Sequence, residues 1–164
     1  MKVFGFAGYS NAGKTTLIEA LIARFVAQGL RVSLIKHAHH GFDIDRPGKD
    51  SFRHRAAGAS EVMLVCDQRW ALMHELRGEP EPDLEAQLSH LAPCDLVLIE
   101  GYKSNAVPKI EVHRPGNGKP YIWPENPSIV AVASDAPFDG PLPSLDLNDH
   151  AAIAAFVLNA TDLA

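Results

Sequence analysis

The spacing of apolar residues changes several times along the chain, and each change marks an element. Val3 to Ala7 is a short β-rich run that stops at Gly8. Leu17, Ile18, Leu21, Ile22, Phe25 and Val26 then recur at helical spacing, and Gly29 supplies a C-terminal stop. Arg31 to Ile35 reads as a second strand, so the opening segment is a βαβ unit whose two strands run parallel. Asp50 or Ser51 is placed to cap a short helix reaching towards Ala59, with Gly58 near its end. Glu61 to Val65 and Trp70 to Glu75 look like two strands joined by a turn. Pro80 and Pro82 precede a helix with Leu84, Leu88 and Leu91 on one face. Leu96 to Ile99 has the unbroken apolar character of a buried parallel strand. Lys109 to His113 and Ile129 to Ala133 complete the strands, and Asp149 is expected to cap a last helix using Ile153, Phe156 and Val157. The expected class is α/β: a mostly parallel sheet flanked by helices, with additional antiparallel strands, in one domain spanning 1–164.

Composition narrows the function classes. With 164 residues, 46% of them hydrophobic, the chain suits a packed core. A net charge of -5 without a long charge run gives no reason to expect nucleic-acid binding. No segment approaches a membrane span and the N-terminal apolar run is too short for a signal peptide, so a cytoplasmic protein is expected. Cys66 and Cys94 form no CxxC pair and read as small, partly buried side chains.

GYSNAGKTT, Gly8 to Thr16, satisfies G-x-x-x-x-G-K-[ST] through Gly8, Gly13, Lys14 and Thr15. A strand before it and an amphipathic helix after it are the context this motif needs. Glycines let backbone N–H groups turn towards phosphate oxygens, and the helix N-terminus adds positive dipole. Gly8, Ser10, Asn11, Ala12, Gly13, Lys14, Thr15 and Thr16 are therefore expected to hold a nucleotide. Lys14 would reach the β/γ-phosphates and Thr15 would hold Mg²⁺.

Such a loop needs a carboxylate from a neighbouring strand. DLVLIEG offers Asp95 and Glu100, and in parallel sheets ligands bind at the carboxyl ends of strands. Asp95 lies at the amino end, roughly 16 Å away at about 3.3 Å per residue. Glu100 is therefore assigned to the Mg²⁺ or water shell, Asp95 to the strand start, and Gly101 to a close approach by a ligand or loop.

The stretch IKHAHHGFDIDRPGKDS leaves the second strand with His37, His39 and His40 beside Asp43, Asp45 and Asp50. Asp43 or Asp45 is a candidate for contact with metal-bound water, Asp45 being preferred because Pro47 and Gly48 follow it; turn-forming Asx chemistry is the competing reading. The histidine spacing matches no standard structural-zinc pattern. His37, His39, His40, Asp43, Lys49 and Arg53 form a candidate site for a second anionic ligand or a partner, with Lys14, Lys36 and Arg55 available to the same local basic region.

GYSNAGKTTLIEALI, KHAHHGFDIDRPGKDSFRHRAAGA, DLVLIEGYK and PKIEVHR occur in the order found in the molybdopterin-guanine dinucleotide biosynthesis protein B family, which the chain resembles as far as about Arg114. The resemblance implies a GTP-binding protein with weak Mg²⁺-dependent GTPase activity. It also implies a homodimer whose partner is the guanylyltransferase that attaches GMP to molybdopterin. Loop roles would fall on Gly8, Gly13, Lys14 and Thr15, and the Mg²⁺-side carboxylate on Glu100. The His/Asp segment would serve cofactor or partner, with direct molybdopterin binding left open.

The chain has no N-K-x-D motif to read guanine, so GTP preference comes from the resemblance. Asp135, after Ile129 to Ala133, is the candidate base acceptor, against a plain turn-starting Asp in SDAPFDG. No arginine is obvious beside the loop, so slow turnover is expected; Arg46, Arg53 or a partner residue are candidates. Lys14, Asp45 and Glu100 are the catalytic candidates. Three alternatives stand beside the GTPase: a non-catalytic GTP-binding adaptor, a small-molecule kinase, and a metal-delivery GTPase. Strand edges around Trp70 to Glu75 or Lys109 to His113 are candidate dimer surfaces.

Overall fold

Phe4, Phe6, Leu96, Leu98, Ile110 and Val112 alternate with their neighbours along three strands, and alternation puts them all on one face of a sheet. The computed structural model describes residues 1–38 and 41–164, and shows why that face is apolar. Helices α1 (Lys14–Ala27) and α4 (His150–Ala160) pack against it with Leu17, Leu21, Phe25, Ile153 and Val157. The strands are β1 (Lys2–Ala7), β2 (Val32–Lys36), β5 (Leu96–Glu100), β6 (Lys109–His113), β7 (Ile129–Ser134) and β8 (Ser144–Asp146). They form one sheet in the order β2-β5-β1-β6-β7-β8, parallel at every pairing. β1 and β2 are thus parallel, as the βαβ pattern requires, but β5 lies between them. Helix α2 (Asp50–Ala56), the antiparallel pair β3 (Glu61–Val65) and β4 (Trp70–His74), and helix α3 (Leu84–Ser89) complete the chain.

Backbone contacts divide these elements into two compact units. The first is Met1–His37 with His90–Ala164 and holds the parallel sheet; the second is Ala38–Ser89. No helix among the described residues is long and apolar enough to cross a membrane.

Several local expectations change. Lys49, not Asp50 or Ser51, is the N-cap of α2, with no side-chain cap bond. The Ser51 hydroxyl is committed to Asp45 instead, at 2.8 Å. Helix α3 ends before Leu91 and buries no residue. Cys66 is exposed in the β3–β4 turn, whereas Cys94 is half-buried; both are free. β6 is not an edge strand, since β1 and β7 flank it, so Lys109 to His113 offers no edge to a second copy. β8 was not expected: three residues are too few to show an alternating pattern.

Asp149 caps α4 as expected, its Oδ1 accepting the Ala151 and Ala152 N–H groups at 3.1 and 2.9 Å. Asp149→Ala removes both bonds and is expected to cost about 1 kcal/mol, measured as a lower urea midpoint at unchanged m-value.

Candidate functional site

All six strands point their carboxyl ends to one edge of the sheet, so the segments leaving them converge there. The glycine-rich loop leaves β1 at this edge. Gly8 has φ 150°, and a Cβ there would run into the Val112 carbonyl oxygen of β6. The loop can lie this close to β6 only because residue 8 lacks a side chain. Gly13 precedes α1 in the left-handed region with φ 97°. The Lys14 ammonium folds over the loop and donates to the Gly8 and Tyr9 carbonyls, both at 2.9 Å. Half-burial pushes the Lys14 pKa down; attraction to Glu100 partly offsets this, while Lys103 and Lys36 add to it.

Glu100 ends β5, paired with Phe6 of β1 and Lys36 of β2. Its Oε1 accepts from the Thr15 hydroxyl at 2.8 Å, and its Oε2 lies 3.3 Å from the Lys36 ammonium. Only 7% of the Glu100 side chain is exposed. A carboxylate and a hydroxyl in contact at the start of α1 are hard oxygen donors, the chemistry Mg²⁺ takes, so the residues present fit that ion. Asp95 accepts the Arg31 N–H at 2.7 Å, the strand-start role expected of it. Gly101 admits the backbone of His37, whose oxygen would lie 3.4 Å from a Cβ there. The close approach is thus by a loop of the chain itself. The His37 ring also packs on Tyr102 at 4.4 Å between centroids.

Two residues carry weight that the sequence did not show. Arg114, immediately after β6, donates from Nε to the Ala12 carbonyl at 3.2 Å and from Nη1 to Asp135 at 2.7 Å. It ties the glycine-rich loop to the carboxylate singled out as a base acceptor. In sequence it is a charge after a strand, and its partner at Ala12 is 102 positions away. Lys36 was placed with a basic group for an anion, yet its nearest charged partner is Glu100.

In the second unit, Arg55 is the organising residue. Nη2 reaches Asp43 at 2.8 Å, Nε reaches Asp45 at 3.2 Å, and Nη1 reaches Glu75 at 2.6 Å. A guanidinium can serve three carboxylates because its donors fan out in a plane. This commits Arg55 to carboxylates rather than to an added anion. Asp45, with 5% of its side chain exposed, also accepts from Ser51 and the Arg46 N–H. The Asx reading has its counterpart at Asp43, whose Oδ1 accepts the N–H of Asp45 two residues on at 2.8 Å. Burial works against the Asp45 charge, but the hydrogen bonds from Ser51, Arg46 and Arg55 outweigh it and lower its pKa. Asp43 is lowered chiefly by its Arg55 bonds. Arg46, Lys49 and Arg53 belong to this unit, and His37 to the first. His39 and His40 lie outside the described residues. Among the described residues, no three His, Cys, Asp or Glu side chains gather as a metal site.

A family model described as molybdopterin guanine dinucleotide synthesis protein B matches residues 3–135. The chain belongs to this family. Two curated members, both called molybdopterin-guanine dinucleotide biosynthesis adapter protein, are similar over nearly the whole chain. That of Escherichia coli (strain K12) is 42% identical over 159 residues, covering 95% of this chain and 91% of the relative. That of Haemophilus influenzae (strain ATCC 51907 / DSM 11121 / KW20 / Rd) is 43% identical over 158 residues, covering 96% and 88%. The crystal structure of a MobB protein homolog from Bacillus stearothermophilus has the same fold, with TM-score 0.74 at 28% identity and 100% of both chains covered. The family match ends at Asp135, the carboxylate that Arg114 holds.

The Arg55 cluster makes a pH-dependent prediction. The folded pKa values of Asp43 and Asp45 lie below their ordinary 3.8, so their contribution to stability is complete above that value and is lost as pH falls through the lower folded values. Arg55→Met is expected to reduce amide protection across 38–89 at pH 7, with little change in β1, β5 and β6. The difference between variant and parent should shrink below about pH 4, as the carboxylates take up protons. Arg55→Lys is expected to restore only part of the protection, since one ammonium cannot span three carboxylates. Hydrogen exchange read by mass spectrometry at the two pH values checks all three outcomes.

Proposed function

We propose that this family member binds GTP with Mg²⁺ on the glycine-rich loop, hydrolyses it slowly, and acts as an adapter to the guanylyltransferase that converts molybdopterin to its guanine dinucleotide form. The observation that carries this reading is the contact of Thr15 with Glu100, beside Lys14 and Lys36, at the carboxyl edge of a parallel sheet. The adapter role is supported by the names of the two bacterial relatives.

In this reading the loop amides and Lys14 hold the phosphate chain. Lys14 exchanges its two carbonyl partners for phosphate oxygens, which restores the charge that half-burial disfavours. Thr15 and Glu100 would hold Mg²⁺, which supplies charge neutralisation to the phosphates. Glu100 is also the preferred group to orient water, since the Asp45 oxygens are engaged by Ser51, Arg46 and Arg55. Asp135 accepts from guanine N1–H and the exocyclic amine, while Arg114 holds it in place from the glycine-rich loop. The histidine-bearing segment, with Lys49 and Arg53, is assigned to the partner or to molybdopterin. The homodimer forms through the β3–β4 pair, whose Met63, Val65, Trp70 and Leu72 are exposed on a two-stranded sheet with open edges.

Replacing Lys14 by Ala removes charge-assisted hydrogen bonds worth about 1.5–3 kcal/mol, so GTP affinity is expected to fall roughly 10- to 100-fold. Unchanged affinity in equilibrium titration would sink the nucleotide assignment. Glu100→Gln should retain GTP binding but lose turnover; if it still supports full guanylation in a reconstituted assay, hydrolysis is incidental to the adapter.

For the base, Asp135→Asn is expected to move preference from GTP towards xanthosine triphosphate. An unaltered GTP preference removes Asp135 from base recognition. Val65→Glu combined with Trp70→Glu should give a monomer by light scattering where the parent is a dimer. A parent that is itself monomeric at micromolar concentration overturns the dimer.

A further inference from the structure

Lys103 follows Glu100 on the segment that leaves β5 at the carboxyl edge of the sheet. Gly101 and Tyr102 both take positive φ, 99° and 43°, and turn the chain at this point. For Tyr102, which has a Cβ, that conformation persists only where its surroundings hold it. Lys109, buried in β6, does so: its ammonium donates to the Tyr102 carbonyl at 3.1 Å and to the Asn105 carbonyl. Its side chain lies against Gly5 of β1, where a Cβ would come within 3.0 Å of the Lys109 Cβ. Asn126 adds a bond to the Lys103 carbonyl itself. The segment that carries Asn126 is held by the next buried residues of the same strand face. Glu111 accepts the Ile122 and Trp123 N–H groups at 2.8 and 2.9 Å, and the His113 ring stacks on Tyr121 at 3.9 Å.

The backbone around Lys103 is thus fixed, but its side chain is not. The ammonium sits 4.1 Å above the Tyr9 ring, and among the described residues it has no hydrogen bond or ion pair. Tyr9 and Lys103 border a cavity of about 610 Å³, so the lysine stem has room to turn. Tyr9 belongs to the glycine-rich loop, and its carbonyl accepts from Lys14. One loop residue therefore carries two ammonium groups, and Lys36 brings a third to Glu100. Lys103 and Lys36 each lower the Lys14 pKa, as like charges do. Glu100 offsets only part of this charge, and the excess suits a ligand with several negative charges. Arg114 also lies beside the loop, but it is engaged by the Ala12 carbonyl and Asp135. A cation over a ring is held more weakly than one bonded to phosphate oxygens, so a bound polyphosphate draws Lys103 off Tyr9.

We propose that Lys103 is a further catalytic residue of the glycine-loop site, moving from the Tyr9 ring to the γ-phosphoryl oxygens of bound GTP and neutralising their charge during transfer to water. The proposal rests on the GTP reading above and adds the cation that the sequence did not reveal beside the loop. In the step, a water oxygen bonds to the γ-phosphorus as the bond from that phosphorus to the β–γ bridging oxygen breaks. The bonding pair stays on GDP, and the proton that water sheds passes to solvent. Lys103 gives up no proton and acts by its charge alone.

The test compares the full chain with its Lys103→Gln variant in Mg²⁺. It reads single-turnover GTP hydrolysis, and the release of methylanthraniloyl-GDP with and without aluminium fluoride, which mimics the phosphoryl group in transfer. Lys103→Gln is expected to hydrolyse GTP roughly 10- to 100-fold more slowly, the loss of one charged hydrogen bond, with GDP affinity unchanged. Aluminium fluoride should slow GDP release from the parent but not from the variant. Lys103→Arg, which keeps a charge at this position, should regain part of the rate. Equal hydrolysis by parent and Lys103→Gln overturns the role of Lys103. Weaker binding of GDP and GTP alike, with the rate at saturation unchanged, also overturns it, because bracing Tyr9 is then its whole contribution. A parent that binds GDP but responds to aluminium fluoride no more than the variant overturns it as well. If the parent binds neither GTP nor GDP, the glycine-loop reading itself falls and takes this role with it, a result read from the parent alone.

Discussion

The Glu100 carboxylate meets the Thr15 hydroxyl and the Lys36 ammonium where three parallel strands finish. Much of the first unit is arranged around that point. For Glu100 to reach Thr15, β5 must pair directly with β1, and the register that pairs Phe6 with Glu100 puts both side chains on the α1 face. For α1 to start there, the chain must turn immediately after β1, close enough to β6 that residue 8 can only be glycine. The apolar face formed by Phe4, Phe6, Ile110 and Val112 then fixes α1 against the sheet. A buried carboxylate needs partners, and Thr15 and Lys36, its partners among the described residues, come from elements that only this strand order brings together.

The opposite face of β6 follows another logic. There the strand buries a lysine, a glutamate and a histidine, and their hydrogen-bonding groups hold irregular segments instead of a helix. Burial lowers the Lys109 pKa and raises that of Glu111, with the Ile122 and Trp123 amides partly offsetting the latter. Both shifts have the same cause, the loss of solvent around a charged group in the interior of the sheet. A structure that keeps such groups buried gains placed backbone segments, with a cavity between them. One strand thus supports the core on one face and a polar compartment on the other.

Arg55 and Arg114 illustrate how arginine joins segments distant in sequence. Arg55 collects Asp43, Asp45 and Glu75 within the second unit, converting a turn rich in acidic residues into a closed network. Arg114 joins the glycine-rich loop to Asp135 within the first. Both use separate nitrogens of one guanidinium for separate partners, which a lysine cannot reproduce with fixed geometry.

Local pattern alone determined much of this protein. The helical repeat from Leu17 to Val26, the apolar run of β5, the cap at Asp149 and the full glycine-loop motif are short-range signals, because backbone hydrogen bonding and chain reversal depend on neighbouring residues. The choice of Glu100 over Asp95 also followed from local reasoning, since strand direction alone places one at the carboxyl end. Tertiary structure decided the rest. That β5 lies between β1 and β2, that β6 is interior, that Asp45 is tied to Arg55, and that Arg114 braces Ala12 are all relations between distant segments. An arginine after a strand, or an aspartate in a turn, has the same local sequence signature whether or not a partner awaits it. The difference is made by packing, which sets distances between residues that the order of the chain leaves free.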